Sequence, residues 1–303
     1  MSEVVCGVIG ARGYLGRQLN SYIAQRGLAI RIVPFDRISQ RFETVGNNPK
    51  SFDILLNLGS PNEIVSRGPA VASKKAIEEW WKNFKAAVNL ARPKRCLHVS
   101  TFHIFGSVEG IVDEQSPLLG GNSYGDTHLE CLSRVTGWLS VQGLPCTILV
   151  PTNIYGSVDI ALMPRTDLIL NLAIERCLNE KPVVLTSDGL GLRDFLWIED
   201  ALYAFSRFIE GDGLATNQTI LVSSGITIPV ADALKSIFHS LGKGRFEDWC
   251  KFGNINDVSS KFSVSSKKLE KLIDGWHPKS VETAGQCLKS IFKEYGKYAQ
   301  SKN

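Results

Sequence analysis

No apolar run in the 303-residue chain approaches the roughly 18 residues that a membrane-spanning helix needs. The opening segment, MSEVVCGVIGARG, has an acidic residue where a secretory leader is basic, and its apolar stretch is short. A charge excess is also missing. Lys and Arg number 34 against 30 Asp and Glu, and a net charge of +4 spread along the chain gives no footprint for nucleic acid. The seven cysteines (Cys6, Cys96, Cys131, Cys146, Cys177, Cys250 and Cys287) form no CxxC pair, which speaks against a disulfide scaffold and for reduced thiols. The five histidines (His98, His103, His128, His239 and His277) lack metal-ligand spacing, so no metal site is expected. Repeats and low-complexity tracts are absent. These absences leave a globular chain, expected to be cytoplasmic, with neither a membrane nor a nucleic-acid partner.

What is present is an alternation. Residues 4–10, 29–35, 53–58, 96–101 and 146–151 are short apolar bursts rich in branched side chains. Continuous runs of this length suit strands buried on both faces, hence a parallel sheet. Between them Leu15, Leu19 and Ile23 repeat at helical spacing and end at Gly27, while residues 76–92 form a longer helical pattern stopping before Pro93. The implied fold is α/β, a doubly wound parallel sheet with a smaller α/β domain. Residues 1–155 are expected to form the nucleotide-binding domain, to whose sheet 193–222 returns. Residues 156–192 and 223–303 form the substrate domain over the C-terminal strand edges.

Directly after the first strand comes GARGYLG, with Gly10, Gly13 and Gly16 opening the first helix. Glycines there allow a tight turn and close approach of a pyrophosphate, to which the helix start offers amide donors and a positive dipole end. Arg12, Tyr14 and Leu15 lie between those glycines and complete the candidate cofactor segment. At the end of the second strand stand Asp36 and Arg37. The carboxylate suits the free 2′-hydroxyl of NAD, whereas Arg37 together with Arg12 suits the 2′-phosphate of NADP, so both cofactors stay open with a lean toward NADP.

VSTFHIFGS at 99–107, SYGDTHLE at 123–130, CTILVPTNIYG at 146–156, SDGLGLRDFLWIEDA at 187–201, the strand–Ser-Gly–helix unit at 219–242 and GWHPKS at 275–280 follow the glycine loop in order. Together they resemble the extended short-chain dehydrogenases/reductases, the NAD-dependent epimerase/dehydratase family of nucleotide-sugar epimerases, dehydratases and dTDP-4-dehydrorhamnose reductases. The resemblance spans essentially the whole chain and implies a Rossmann fold. It implies that Leu58, Gly59 and Ser60 pass beside the cofactor, that Pro151 also borders it, and that Asn83 is the helix Asn holding the proton-relay region at the cofactor. Thr101 would hydrogen-bond the substrate oxygen and Tyr124 would be the catalytic acid/base. His103, Asn153 and Arg193 fall toward the sugar and its diphosphate, for which an Arg fork is suited. A homodimer through the two long helices is a further implication.

The family pattern breaks at one position. A tyrosine with a pKa of about 10 needs a cation to work near neutrality, ordinarily a lysine one helical turn later. Here that position is His128, whose imidazole, with a reference pKa of about 6.5, is expected to add an ionisation to the pH–rate profile. Family dehydratases carry an Asp-Glu pair after the active-site Thr, where this chain has Phe102-His103, which leaves 4-keto reduction or epimerisation of a nucleotide-activated sugar. The competing expectation is a catalytically weakened subunit that binds dinucleotide in a regulatory or scaffold role.

Overall fold

A computed structural model describes residues 3–35, 51–66, 68–159, 162, 165–211, 214–254 and 261–301. The first half alternates as the apolar bursts require: β1 Val4–Ile9, α1 Tyr14–Arg26, β2 Ile30–Phe35, β3 Ile54–Asn57, α2 Glu63–Ser66, α3 Ala70–Ala91, β4 Arg95–Val99, β5 Gly110–Val112, α4 Ser123–Val141, β6 Cys146–Pro151 and β7 Asn153–Tyr155. The second half contains α5 Ile169–Leu178, β8 Val183–Val184, β9 Leu192–Trp197, α6 Ile198–Glu210, β10 Thr219–Val222, β11 Thr227–Pro229 and α7 Val230–Ser240. It ends with α8 Phe246–Trp249, β12 Cys250–Lys251, β13 Phe262–Val264, α9 Lys267–Leu272 and α10 Val281–Ser301. Gly27 closes α1 in the left-handed conformation, its N–H bonded to the carbonyls of Ile23 and Ala24.

Six parallel strands form the main sheet in the order β10-β6-β4-β3-β1-β2. The chain moves outward from β1 to β2, then crosses back to β3 on the other side of β1. That reversal opens a crevice at the carboxyl ends of β1 and β3, where doubly wound sheets bind ligands. β3 and β6 are buried along their whole length, as helices on both faces require. Alternate strand residues feed two cores. Cys6, Val8, Ile54, Leu56 and Leu97 face α1 and α6, whereas Leu55, Cys96 and Ile148 face α3 and α4 with Trp80 and Phe84.

The segment 193–222 divides between the two parts. β10 completes the edge of the main sheet, while β9 lies in a separate three-stranded sheet between β7 and β11. α7 packs against α5 and α10 beside that small sheet. Among the described residues no helix is long and apolar enough to cross a membrane.

Candidate active site

The glycine loop lies at the crevice. Gly13 is the N-cap of α1, with no side-chain cap and no acidic residue in the first turn, so the helix start offers its amides to an anion. Gly16 is required by space: a Cβ there would lie 2.5 Å from the carbonyl oxygens of Gly10 and Ala11. Tyr14 differs from its expected role. Its side chain is buried, its hydroxyl donating to the Gly156 carbonyl at 2.6 Å, so what it can offer a cofactor is its backbone amide. Leu15 likewise packs against the core. Arg12 is exposed in the loop, whereas Asp36 and Arg37 lie outside the described residues. Across the crevice, the Leu58 N–H donates to Ile9 O at 2.9 Å and the Gly59 N–H to Asn57 Oδ1 at 3.1 Å. Ser60 follows with its hydroxyl buried, and Pro151 closes β6 beside Val222.

One strand further along, Thr101 caps a 3₁₀ turn at Phe102–Phe105, its Oγ1 accepting the His103 N–H at 3.4 Å. Tyr124 is in the first turn of α4. Asn122 caps that helix by accepting the Gly125 N–H at 2.8 Å. Gly125 lets the turn close: a Cβ there would sit 2.4 Å from the His103 carbonyl oxygen. His103 therefore touches both Thr101 and the start of α4, and its ring lies 5.4 Å from that of Tyr124 in an edge-on arrangement. On the other side of Tyr124 the His128 ring stands at 4.6 Å, also edge-on. Asn83 is half-buried on α3 beside the stripe formed by Trp80 and Phe84.

His128 is only 4% exposed. Burial pushes its pKa down to about 4, opposed by the Pro61 carbonyl and reinforced by the nearby His103. The ring is thus neutral throughout the physiological range, and the expected imidazole ionisation near neutral pH is corrected by its depth in the fold. A stability consequence follows. The folded pKa lies below the unfolded value of about 6.5, so the unfolded chain binds the extra proton first. The contribution is complete above about pH 6.5 and is lost as pH falls toward about 4. At pH 5 the loss amounts to about 2 kcal/mol. Guanidinium unfolding at pH 7 and pH 5 should show His128→Gln losing about 2 kcal/mol less than the parent, and equal losses would refute it.

Asn153 and Arg193 come together on the small sheet. With Ser187, Leu168, Phe195 and Val230 they line a cleft of about 260 Å³. The Asn153 amide donates to the Asp194 carbonyl at 2.9 Å, and Arg193 Nη1 to the Leu192 carbonyl at 2.7 Å. Asp194 is held instead by the Thr152 hydroxyl at 2.6 Å and the Ser224 N–H at 3.0 Å, and Asp200 by Lys279.

The family model described as the NAD dependent epimerase/dehydratase family matches residues 6–222. The chain belongs to that family. Among curated relatives of this epimerase/dehydratase chain, a dTDP-glucose 4,6-dehydratase from Neisseria meningitidis is 25% identical over 73% of this chain and 62% of its own length. Low-salt glycan biosynthesis protein Agl12 from Haloferax volcanii is 24% identical over 61% of this chain and 56% of its own. The matches thus span less than two thirds of these relatives. A solved UDP-glucuronic acid 4-epimerase from Bacillus cereus, in complex with NAD, shares the fold at a TM-score of 0.74 with 17% identity, covering 97% of this chain and 98% of that one. RMD from Pseudomonas aeruginosa, complexed with NADPH, gives 0.74 with 17% identity over 96% and 99%.

Two residues here, Arg165 and Asn57, carry no motif in the sequence, and the role of Gly125 is not legible within SYGDTHLE. Gly125 is visible only once α4 meets the 3₁₀ turn. Arg165 holds Asp167 through two bonds of 2.9 and 2.7 Å, and its charge interacts with the phenols of Tyr14 and Tyr124. No spacing rule links position 165 to position 124. Asn57, which anchors Gly59, reads in the sequence as an ordinary strand end.

Proposed function

We propose that the protein is an NAD(P)-dependent enzyme acting on a nucleotide-activated sugar, by 4-keto reduction or by epimerisation through a transient ketone. The observation that carries this reading is the convergence of Thr101, His103 and Tyr124 at the strand ends beside an uncapped, glycine-lined helix start. The donor set fits a dinucleotide. The backbone of Gly10, Arg12, Gly13 and Gly16 would take the pyrophosphate, and Leu58 to Ser60, Pro151 and Asn83 would border the rest. The bound cofactor would supply or accept hydride at a sugar carbon. Thr101 would hold the reacting oxygen and Tyr124 would exchange its proton. With His128 neutral, Arg165, itself paired with Asp167, is a cation whose charge reaches Tyr124. The cleft with Asn153 and Arg193 would receive the sugar and diphosphate.

Elimination of water needs an acid for the leaving hydroxyl and a base for the adjacent carbon. Of the pair Phe102-His103 that stands in place of two carboxyl groups, only His103 could act as acid or base, which argues against dehydration here even though dehydratases are among the relatives. The neutral His128 favours a second reading, a subunit that binds dinucleotide without turnover. The exposed residues of α3 include Lys74, Lys75, Glu78 and Lys82, and Arg134 of α4 pairs with Glu78 within the chain.

The test is an assay with a 4-keto nucleotide sugar and either dinucleotide. Stoichiometric NAD(P)H oxidation identifies a reductase, and conversion without net oxidation an epimerase. Cofactor binding with no turnover supports the regulatory reading, while absence of any NAD(P) binding in calorimetry sinks both. If turnover is found, kcat/KM should show no ionisation between pH 5 and 8 from His128. His128→Lys should move the alkaline limb to lower pH by about one unit, because a cation one turn away favours the phenolate. An unmoved limb would count against Tyr124 as the titrating group.

A further inference from the structure

Asn57 and His98 are both fully buried and face each other across β3 and β4 as register partners. Asn57 Nδ2 lies 2.8 Å from His98 Nδ1, while Asn57 Oδ1 accepts the Gly59 N–H at 3.1 Å. The chemistry fixes every proton in this chain of bonds. A backbone N–H can only donate, so the amide atom facing Gly59 must be oxygen. The other atom is then the NH₂ group, also a donor only, so His98 Nδ1 accepts and the ring proton sits on Nε2. Burial pushes the ring pKa down to about 3, helped by the proximity of His128, so this neutral tautomer persists across physiological pH.

The pair sits in a layer that is otherwise apolar, with Leu55 and Cys96 on the same faces and the Trp80 ring 6.1 Å from His98. Two buried polar side chains there cost desolvation that a pair of leucines would not. What they hold explains their presence. Gly59 packs against the glycine loop: a Cβ on Gly10 would lie 3.0 Å from Gly59 N and Cα. Gly10 itself has φ of +83°, so neither side of this contact has slack.

We infer that His98 is a positioning residue for the dinucleotide, acting through Asn57 to set the Gly59 amide and hence the spacing between the β3 end and the glycine loop. Protonation or loss of the Nδ1 acceptor leaves the buried Asn57 NH₂ without its partner, so the amide is held at its oxygen end alone, by the Gly59 N–H. The amide can then rotate and release the Leu58–Ser60 segment. The inference rests on the proposed cofactor reading, and its test separates the two.

The experiment compares the parent with His98→Leu, which has no acceptor, and His98→Gln, whose carbonyl can still accept from Asn57. Calorimetry with NAD and NADP should show His98→Leu weakening affinity about tenfold, the worth of one lost orienting hydrogen bond. His98→Gln should stay within about threefold of the parent. Nitrogen NMR of the cofactor-free parent should show a ring with unprotonated Nδ1 and protonated Nε2, unchanged from pH 5 to 8. Parent-like affinity in His98→Leu overturns the inference alone, as does a protonated Nδ1. Equal loss in both variants, tracking a shared fall in melting temperature, also overturns it by reducing His98 to packing. A parent that binds neither dinucleotide overturns the cofactor reading and this inference together, and if His98→Leu does not fold, His98→Gln and the NMR of the parent still decide.

Discussion

Tyr124→Phe should lower kcat about 10³-fold while leaving the affinities for cofactor and substrate within about threefold, the loss typical of removing a positioned proton donor. The geometry isolates the hydroxyl as the variable. The Tyr124 ring is packed edge-on between His103 at 5.4 Å and His128 at 4.6 Å, contacts that phenylalanine keeps. The backbone beneath it is fixed independently of the ring. Asn122 caps Gly125, Asp126 Oδ1 accepts the Gly121 N–H at 3.0 Å, and Gly125 lies against the His103 carbonyl. Steady-state kinetics with calorimetry on the same preparations separates the two quantities. Full turnover by Tyr124→Phe would remove the phenol from the chemistry and leave Thr101 and His103 without their partner.

The parts of this site that the sequence makes legible are those encoded locally. A strand buried on both faces is predominantly apolar, which is why β1, β3, β4 and β6 stand out as runs even with Asn57 and His98 among them, and a helix must end where Gly27 can take the left-handed turn. The glycine loop is legible for the same reason, since one turn and one helix start contain all of it. Depth is not encoded that way. The i,i+4 spacing places His128 beside Tyr124, but its neutrality comes from burial in the fold, against the opposing effect of the Pro61 carbonyl. The inward turn of Tyr14 depends on Gly156, 142 residues away, and the Asn57–His98 bond on a register between strands 41 residues apart. Strand order is likewise invisible, because nothing in β2 announces that the chain will cross β1 to reach β3.

The second large effect belongs to the glycine loop, and the structure separates two glycines that look alike in sequence. Gly13→Val should weaken NAD(P) binding roughly 100-fold or more with little change in melting temperature. At Gly13 the backbone is extended, φ −70° and ψ 176°, a conformation valine adopts without strain. An added Cβ meets only the Gly10 carbonyl oxygen, at 3.1 Å, and the residue is exposed, so the branched methyls project toward the helix start that would receive the pyrophosphate. Gly16→Ala should behave differently. Its Cβ would lie 2.5 Å from two backbone oxygens that cannot yield without moving the loop, so affinity and melting temperature should fall together. Calorimetry paired with thermal unfolding distinguishes the cases. Unchanged NAD(P) affinity in a folded Gly13→Val protein would mean that the anion does not approach this helix start, and the cofactor assignment would fall with it.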